Sequence, residues 1–349
     1  MEVSEAAELG AIAPEWDALV DSMPLPSPFL RSWWLSHVAV GEPVFLLVRD
    51  GGSIVGGAAF QRTTRHGCEW LEMLGDGQLS PDHLDLVAAP GSVTAVQAAV
   101  RNWLGRPGSR VLDFVGLVEQ SWLGAATPGF GTNRVHAVAP YVVLPTTFAE
   151  YLGTRHGKLR STVTRTGKRL TAAGVTTRVR PSSEVDAGLE DLRRLHDERW
   201  GERSGFLASW QGFADAVRGA ALVGEATFTE LVTADGAAIA TELEFLVGGR
   251  ASFYQAGRLG DHEYRGSGSV LKAAVIEAAI DAGVREFDLL RGDEPYKTEW
   301  AVSRRRLYRV RHGVGPRGLA LVAAAEANLW REGRRIRAAI TTPDDGSTA

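Results

Sequence analysis

Three groups of residues in this 349-residue chain are of a type and spacing that could do chemistry. The first is the turn Tyr264-Arg265-Gly266-Ser267-Gly268-Ser269. It runs into an apolar stretch in which Leu271, Val275, Ala278 and Ala282 recur near helical spacing and Gly283 marks the end. Backbone N–H groups crowd such a turn, the helix dipole adds positive charge, and the missing side chains let a phosphate come close. The turn is therefore a candidate anion site, with a pyrophosphate its natural ligand; a Gly-Ser turn is also simply a tight way to begin a helix. The second group is Glu242 and Glu244 in the strand-like run 240–246, on one face because side chains alternate along a strand. Two carboxylates there are costly inside a fold without a purpose, whereas on an edge strand the same face would lie in water. The third is Arg291, Asp293, Glu294 and Lys297, with Tyr296 among them, after the strand-like run 286–290. Ligands of open α/β sheets sit at that end of a strand, and Lys297 suits a phosphate or an acceptor carboxylate; a self-neutralising loop is the plainer reading. Trp300 is expected to pack.

The elements that must position these groups are strands alternating with helices, an α/β pattern. Residues 45–56 and 228–240 share one layout, strand, Asp-Gly turn and strand, with aspartate and isoleucine four positions apart in both, which suggests an internal duplication. A boundary is expected at Leu144-Pro145-Thr146-Thr147, giving domains 1–145 and 146–312, then a C-terminal helix at 313–340 and a disordered tail at 341–349. Asp82, His83 and Asp85 form a polar knot that reads as a loop histidine satisfied by capping aspartates or, by spacing alone, a metal site. Arg155, Lys158, Arg160, Arg165, Lys168 and Arg169, with Leu159, Val163 and Leu170, make an amphipathic helix with one positive face. Such a face is solvated, or it draws an anionic partner: coenzyme phosphates, a nucleotide-activated sugar or tRNA. The helix expected from Leu319 to Ile340, with Arg331, Arg334, Arg335 and Arg337 near its end, should dock on the second half.

With 44% hydrophobic and 23% charged residues the chain can bury full cores. A net charge of −4, not segregated by half, gives no reason to expect DNA. The single cysteine, Cys68, excludes an intramolecular disulfide and most thiolate metal sites. Without an apolar run of about 20 residues or a signal peptide, the expected place is the cytoplasm.

Arg265-Gly266-Ser267-Gly268, the run Phe287-Asp288-Leu289-Leu290-Arg291-Gly292-Asp293-Glu294-Pro295-Tyr296-Lys297-Thr298-Glu299-Trp300 and the upstream Leu195-His196-Asp197-Glu198-Arg199-Trp200 together resemble the GNAT N-acyltransferases. The closest likeness is to a bacterial branch described as cellulose-biosynthesis (CelD-type) acetyltransferase-like proteins, and with looser matches at 28–34 and 82–86 it covers about residues 15–305. One departure is clear: where the family's pyrophosphate signature ends in glycine or alanine, this chain has Val270.

The resemblance implies tandem GNAT-like domains, mixed sheets flanked by helices. The first half would be a worn copy, with Gly75-Asp76-Gly77 putting an aspartate in the would-be phosphate site, and Phe29, Trp33, Trp34 and Trp70 serving as core or interface. It implies a transferase moving an acyl group, acetyl first of all, from acyl-CoA to an amine of a small molecule or sugar, without a metal. Glu242 or Glu244 would be the base and Tyr296 the acid, unless its phenol is structural and bonded to Asp293 or Arg291. Arg265, Gly266, Ser267, Gly268, Ser269 and Lys297 would hold the coenzyme, and His196, Arg199, Trp200, Tyr254, Arg291 and Asp293 the acceptor; the segment of Asp82, His83 and Asp85 would lie near the cleft between the halves, open to a substrate contact. The other readings are a Fem-type aminoacyl-tRNA-dependent peptidyl transferase, against which stands the lack of a long helical hairpin, and a non-catalytic binding protein on the same fold.

Overall fold

The computed structural model describes residues 1–201 and 204–327. Thirteen strands form one mixed sheet: β1 (Glu2–Ala6), β2 (Glu42–Asp50), β3 (Ser53–Arg65), β4 (Cys68–Met73), β5 (Val87–Ala88), β6 (Arg110–Val118), β7 (Phe130–Val143), β8 (Thr176–Val179), β9 (Ala226–Val232), β10 (Ala238–Val247), β11 (Arg250–Arg258), β12 (Glu286–Asp288) and β13 (Ser303–Val314). Helices flank it: α1 (Ala13–Asp21), α2 (Ser32–Leu35), α3 (Val93–Leu104), α4 (Trp122–Ala126), α5 (Phe148–Gly153), α6 (Gly157–Ala172), α7 (Val185–Trp200), α8 (Trp210–Leu222), α9 (Ser267–Asp281) and α10 (Pro295–Trp300). The expected hairpins are both present, β2–β3 turning on Gly51 and Gly52 (φ 57° and 92°) and β9–β10 on Gly236 (φ 88°), left-handed values that glycine adopts without strain.

The two halves repeat one plan. A strand and two helices lead into an antiparallel run (β2-β3-β4, β9-β10-β11), then a helix, a strand parallel to the last (β6 on β4, β12 on β11), a short helix and a long strand. The long strands are exchanged: β7 pairs with β12, and β13 lies between β6 and β7. Residue 145 thus follows directly on a strand whose pairing crosses into the other half.

The halves differ at one place. Parallel strands that part company leave a wedge, and in the first half the chain itself fills it. Leu84 bridges Leu117, its N–H donating to the Gly116 carbonyl at 2.9 Å and its carbonyl accepting from Val118 at 3.2 Å. No helix follows Gly75–Gly77 until α3. In the second half, β11 and β12 pair only from Arg250–Glu286 to Ser252–Asp288, and the wedge beyond stays open.

One hydrophobic core spans both halves. Phe29 and Trp34 meet Tyr254 with ring centroids 5.5 Å apart in each case, and Trp33 meets Phe245 at 5.0 Å. These are the interface aromatics expected from the sequence; rings at such separations add about 0.5–1.5 kcal/mol per pair beyond area burial. α8 closes on α2 so tightly that a β-carbon at Gly212 would stand 2.4 Å from the His37 carbonyl oxygen.

The last described element corrects an expectation. A helix from 315 to 327 packs Val322 on Cys68 and Val111 of the first half, not on the second. Strand exchange is the reason, since β13 ends beside β6. The arginines at 331–337 and the tail at 341–349 lie outside the described residues. With strands shared and a core that spans both halves, heating should give a single calorimetric transition with equal calorimetric and van't Hoff enthalpies; two resolved transitions would contradict the exchange.

Candidate active site

The open wedge becomes a cavity of about 780 Å³. Phe253 to Arg258 of β11 form one lip, Leu289 to Arg291 the other, the start of α9 one end, and Gln78, Leu79, Ser80 and Asp82 of the first half complete the wall. Pairing of β11 and β12 stops at Ser252–Asp288, so the backbone of this lip faces open space.

At the α9 end Gly266 adopts φ 87° as N-cap, and its carbonyl accepts from Ser269 and Val270. The N–H groups of Ser267 and Gly268 have no acceptor among the described residues, as the first turn of a helix requires. Arg258 and Arg265 line this end, and Arg169 of α6 holds the turn by donating to the carbonyls of Glu263 and, at 2.6 Å, Arg265. Of the expected coenzyme contacts, Arg265, Gly266, Gly268 and Ser269 border the cavity. Ser267 is fully buried with its hydroxyl unpartnered, and does not. Lys297 borders it, but its ammonium is engaged with the Arg291 carbonyl at 2.6 Å and Glu294 at 3.1 Å, fixing the loop after β12.

At the inner end stands Glu242, buried and bonded to the ammonium of Lys272, which projects from α9. Glu244 lies behind, buried, and does not border the cavity. β10 is flanked by β9 and β11, so the edge-strand reading of the pair fails. Burial, and then the charge of Glu242 beside it, pushes the Glu244 carboxyl well above the usual range. Tyr296 borders the cavity from α10, half-exposed; partial burial, then Glu294 and Glu242, raise its phenol.

The expected acceptor contacts separate. Arg199, Trp200, Tyr254 and Arg291 border the cavity. The Tyr254 hydroxyl donates to the Leu79 carbonyl at 2.7 Å, pinning a first-half loop onto the second-half wedge. His196 is buried away from the cavity, 2.7 Å from the Ser204 hydroxyl and against Phe206; burial, then Arg199, lowers its pKa. Asp293 is exposed outside it. Trp300 packs as expected. Lys272 and the contribution of Gln78, Leu79 and Ser80 were not foreseen; the only signal for Lys272 was a lysine within the apolar run Val270-Leu271-Lys272-Ala273-Ala274-Val275.

Beneath the cavity the polar knot resolves differently from its sequence reading. Asp85 is a cap, accepting from the Trp122 and Leu123 N–H groups of α4 at 2.9 and 2.7 Å. His83 instead lies between Asp82 (2.7 Å) and Asp288 of the other half (3.2 Å). Asp288 also takes Arg250 at 2.8 Å and Arg305 at 3.0 Å, and the Arg291 N–H donates to Asp82 at 2.6 Å. Ser80, His83 and Leu290 have φ of 55°, 52° and 53°, strained for residues with side chains, and all three sit at this junction. Among the described residues, no group of three or more His, Cys, Asp and Glu side chains is placed to hold a metal ion, and no helix is long and apolar enough to cross a membrane.

Residues 157–298, which lie in the second half, match the family model of the acetyltransferase (GNAT) domain. No curated protein sequence matches the chain. Among solved structures FemX is similar at TM-score 0.60 and 12% identity, over 88% of this chain and 97% of FemX. L-PGS from Bacillus licheniformis is similar at 0.55 and 14%, over 86% of this chain and 91% of that one. The C-terminal domain of a putative lysylphosphatidylglycerol synthetase from Agrobacterium fabrum is similar at 0.53 and 14%, over 91% and 97%. These likenesses extend the shared fold across both halves.

His83 gives the junction a pH dependence. Burial opposes its charge, but Asp288 and then Asp82 outweigh it and push the imidazole from the usual 6.5 up to about 9. A raised pKa means stability complete below 6.5 and lost as pH rises through about 9. Urea titrations of the wild type should therefore lose on the order of 3 kcal/mol between neutral and strongly basic pH. His83→Gln should start lower and lack that loss; parallel curves for the two would contradict the assignment.

Proposed function

We propose that the protein transfers an acyl group, acetyl above all, from a coenzyme A thioester to the amine of a small molecule or sugar, as in the cellulose-biosynthesis branch it resembles. One observation carries the reading: an open wedge between parallel strands, joined at one end to an anion-binding turn and at the other to a dry carboxylate. The free N–H groups of Ser267 and Gly268, the first turn of α9, and Arg258 and Arg265 suit a pyrophosphate. Val270, the departure from the family signature, lies one helical position beyond Ser269, outside that set of N–H groups.

In this reading Glu242 takes the proton of the acceptor amine, Glu244 stays protonated behind it, and Tyr296 gives a proton to the departing thiolate. Arg199, Trp200 and Arg291, with Gln78 and Ser80 from the first half, hold the acceptor.

A Fem-type, aminoacyl-tRNA-dependent transfer is the second reading, favoured by a specific surface as well as by the likeness to FemX. Lys158, Arg160, Arg165 and Lys168 of α6 are exposed without carboxylate partners among the described residues, and Arg169 ties this helix to the cavity mouth. Arg155, expected in that face, is buried against the Trp300 carbonyl and does not belong to it.

Thermal unfolding with acetyl-CoA, free coenzyme A and bulk tRNA separates the two. Ligand at about 100 times its Kd stabilises by about 2.7 kcal/mol, a shift of several degrees. The wild type should respond to acetyl-CoA, and Gly268→Asp should lose the response while keeping its unliganded Tm, because an aspartate in the first turn favours a helix. Response to tRNA alone would replace the first reading by the second; response to none would overturn both.

A further inference from the structure

Lys272 is the least expected residue of the cavity. Its stem rises from α9 among apolar neighbours, and its ammonium is bonded to Glu242 with the Phe253 ring centroid 3.1 Å away and that of Phe287 5.4 Å away. The ionisable groups around it are Glu242 and Glu244 on β10 and Lys297 on α10, with Tyr296 beside Glu242. Stability alone is a weak account of the pair. A buried ion pair replaced by apolar side chains of similar volume is often neutral or better, so dry Lys–Glu pairs are not explained by the energy they contribute. This one borders the cavity in which a carbonyl would have to be polarised. Aromatic faces steady an ammonium without neutralising it.

We propose that Lys272 is a catalytic residue whose ammonium, released from Glu242 when that carboxylate takes the acceptor's proton, supplies the positive charge opposite the acyl oxygen. The proposal rests on the acyl-transfer reading above. A protonated amine gives one proton to Glu242, and its lone pair forms the N–C bond while the carbonyl pair moves onto oxygen. Protonation removes the charge that held Lys272, so the ammonium becomes the uncompensated charge in an apolar wall as the oxyanion forms. The oxygen pair then returns as the C–S bond breaks. The nitrogen's second proton is matched by the one the thiolate gains, and the first leaves Glu242 for solvent.

The test compares wild type, Lys272→Met, Glu242→Gln and the double variant in thiol release from acetyl-CoA, using ethanolamine, protonated at neutral pH, and hydroxylamine, which is not. Glu242→Gln should lose about 10²–10⁴ in rate with ethanolamine near neutrality, recover as pH rises, and lose only a few-fold with hydroxylamine. Lys272→Met should lose about 10²–10³ with both amines at every pH, and still show the acetyl-CoA-induced thermal shift. Should Lys272→Met fold poorly with Glu242 unpaired, the double variant removes both charges and should show the same hydroxylamine deficit. Rates within a few-fold of wild type with hydroxylamine in both Lys272 variants would overturn the proposal, as would recovery of Lys272→Met at high pH. A wild type that binds acetyl-CoA but releases no thiol with either amine removes the acyl-transfer reading and the role of Lys272 with it. Absence of any acetyl-CoA shift refutes that reading at the binding step instead.

Discussion

Two buried aspartates at equivalent places in the repeat, Asp113 on β6 and Asp288 on β12, tie β13 to both halves: its Arg309 and Arg311 neutralise Asp113, and its Arg305 joins Arg250 and His83 on Asp288. Arg309 and Arg311 fork onto Asp113 at 2.7–3.0 Å, while Arg305 reaches Asp288 at 3.0 Å. Without β13, Asp113 would be left as an uncompensated buried charge, at a cost of about 3–5 kcal/mol, and Asp288 would lose one of its cations. One strand therefore has to lie between the halves, and once it does, β7 is left to pair with β12.

With the halves fused edge to edge, the loop from Leu79 to His83 has to run over the second-half wedge. Tyr254, Asp288 and the Arg291 N–H hold it there, and the strain at Ser80, His83 and Leu290 is sustained by those bonds. The same loop, continuing to Leu84, plugs the first half's own wedge. Duplication thus leaves one cavity of this kind, and the half that lost its own lines part of the other's.

What could be read from the sequence was local. The turn at Gly266–Ser269, the two hairpins and the shared face of Glu242 and Glu244 follow from neighbours a few positions apart, where backbone periodicity is decisive. Strand exchange could not be read, because pairing of β13 with β6 depends on residues far apart in the chain. The C-terminal helix was misplaced for the same reason. Composition also hid orientation: Lys297 and His196 carry the right chemistry but spend it on the Arg291 carbonyl and on Ser204. Lys272 carries a charge that a helical repeat reads as solvent-facing, and only the partner on β10 shows why it points inward.

The central claim is that ligand engages the second-half wedge and that the first-half wedge is closed to it. Hydrogen exchange of the backbone amides with and without acetyl-CoA tests it most directly. Protection confined to 253–258, 266–272 and 289–297, with the first-half segments of β4 and β6 unchanged, is the predicted result. Protection centred on Gly75–Leu79 and the junction of β4 with β6, the second-half segments unaltered, would contradict it.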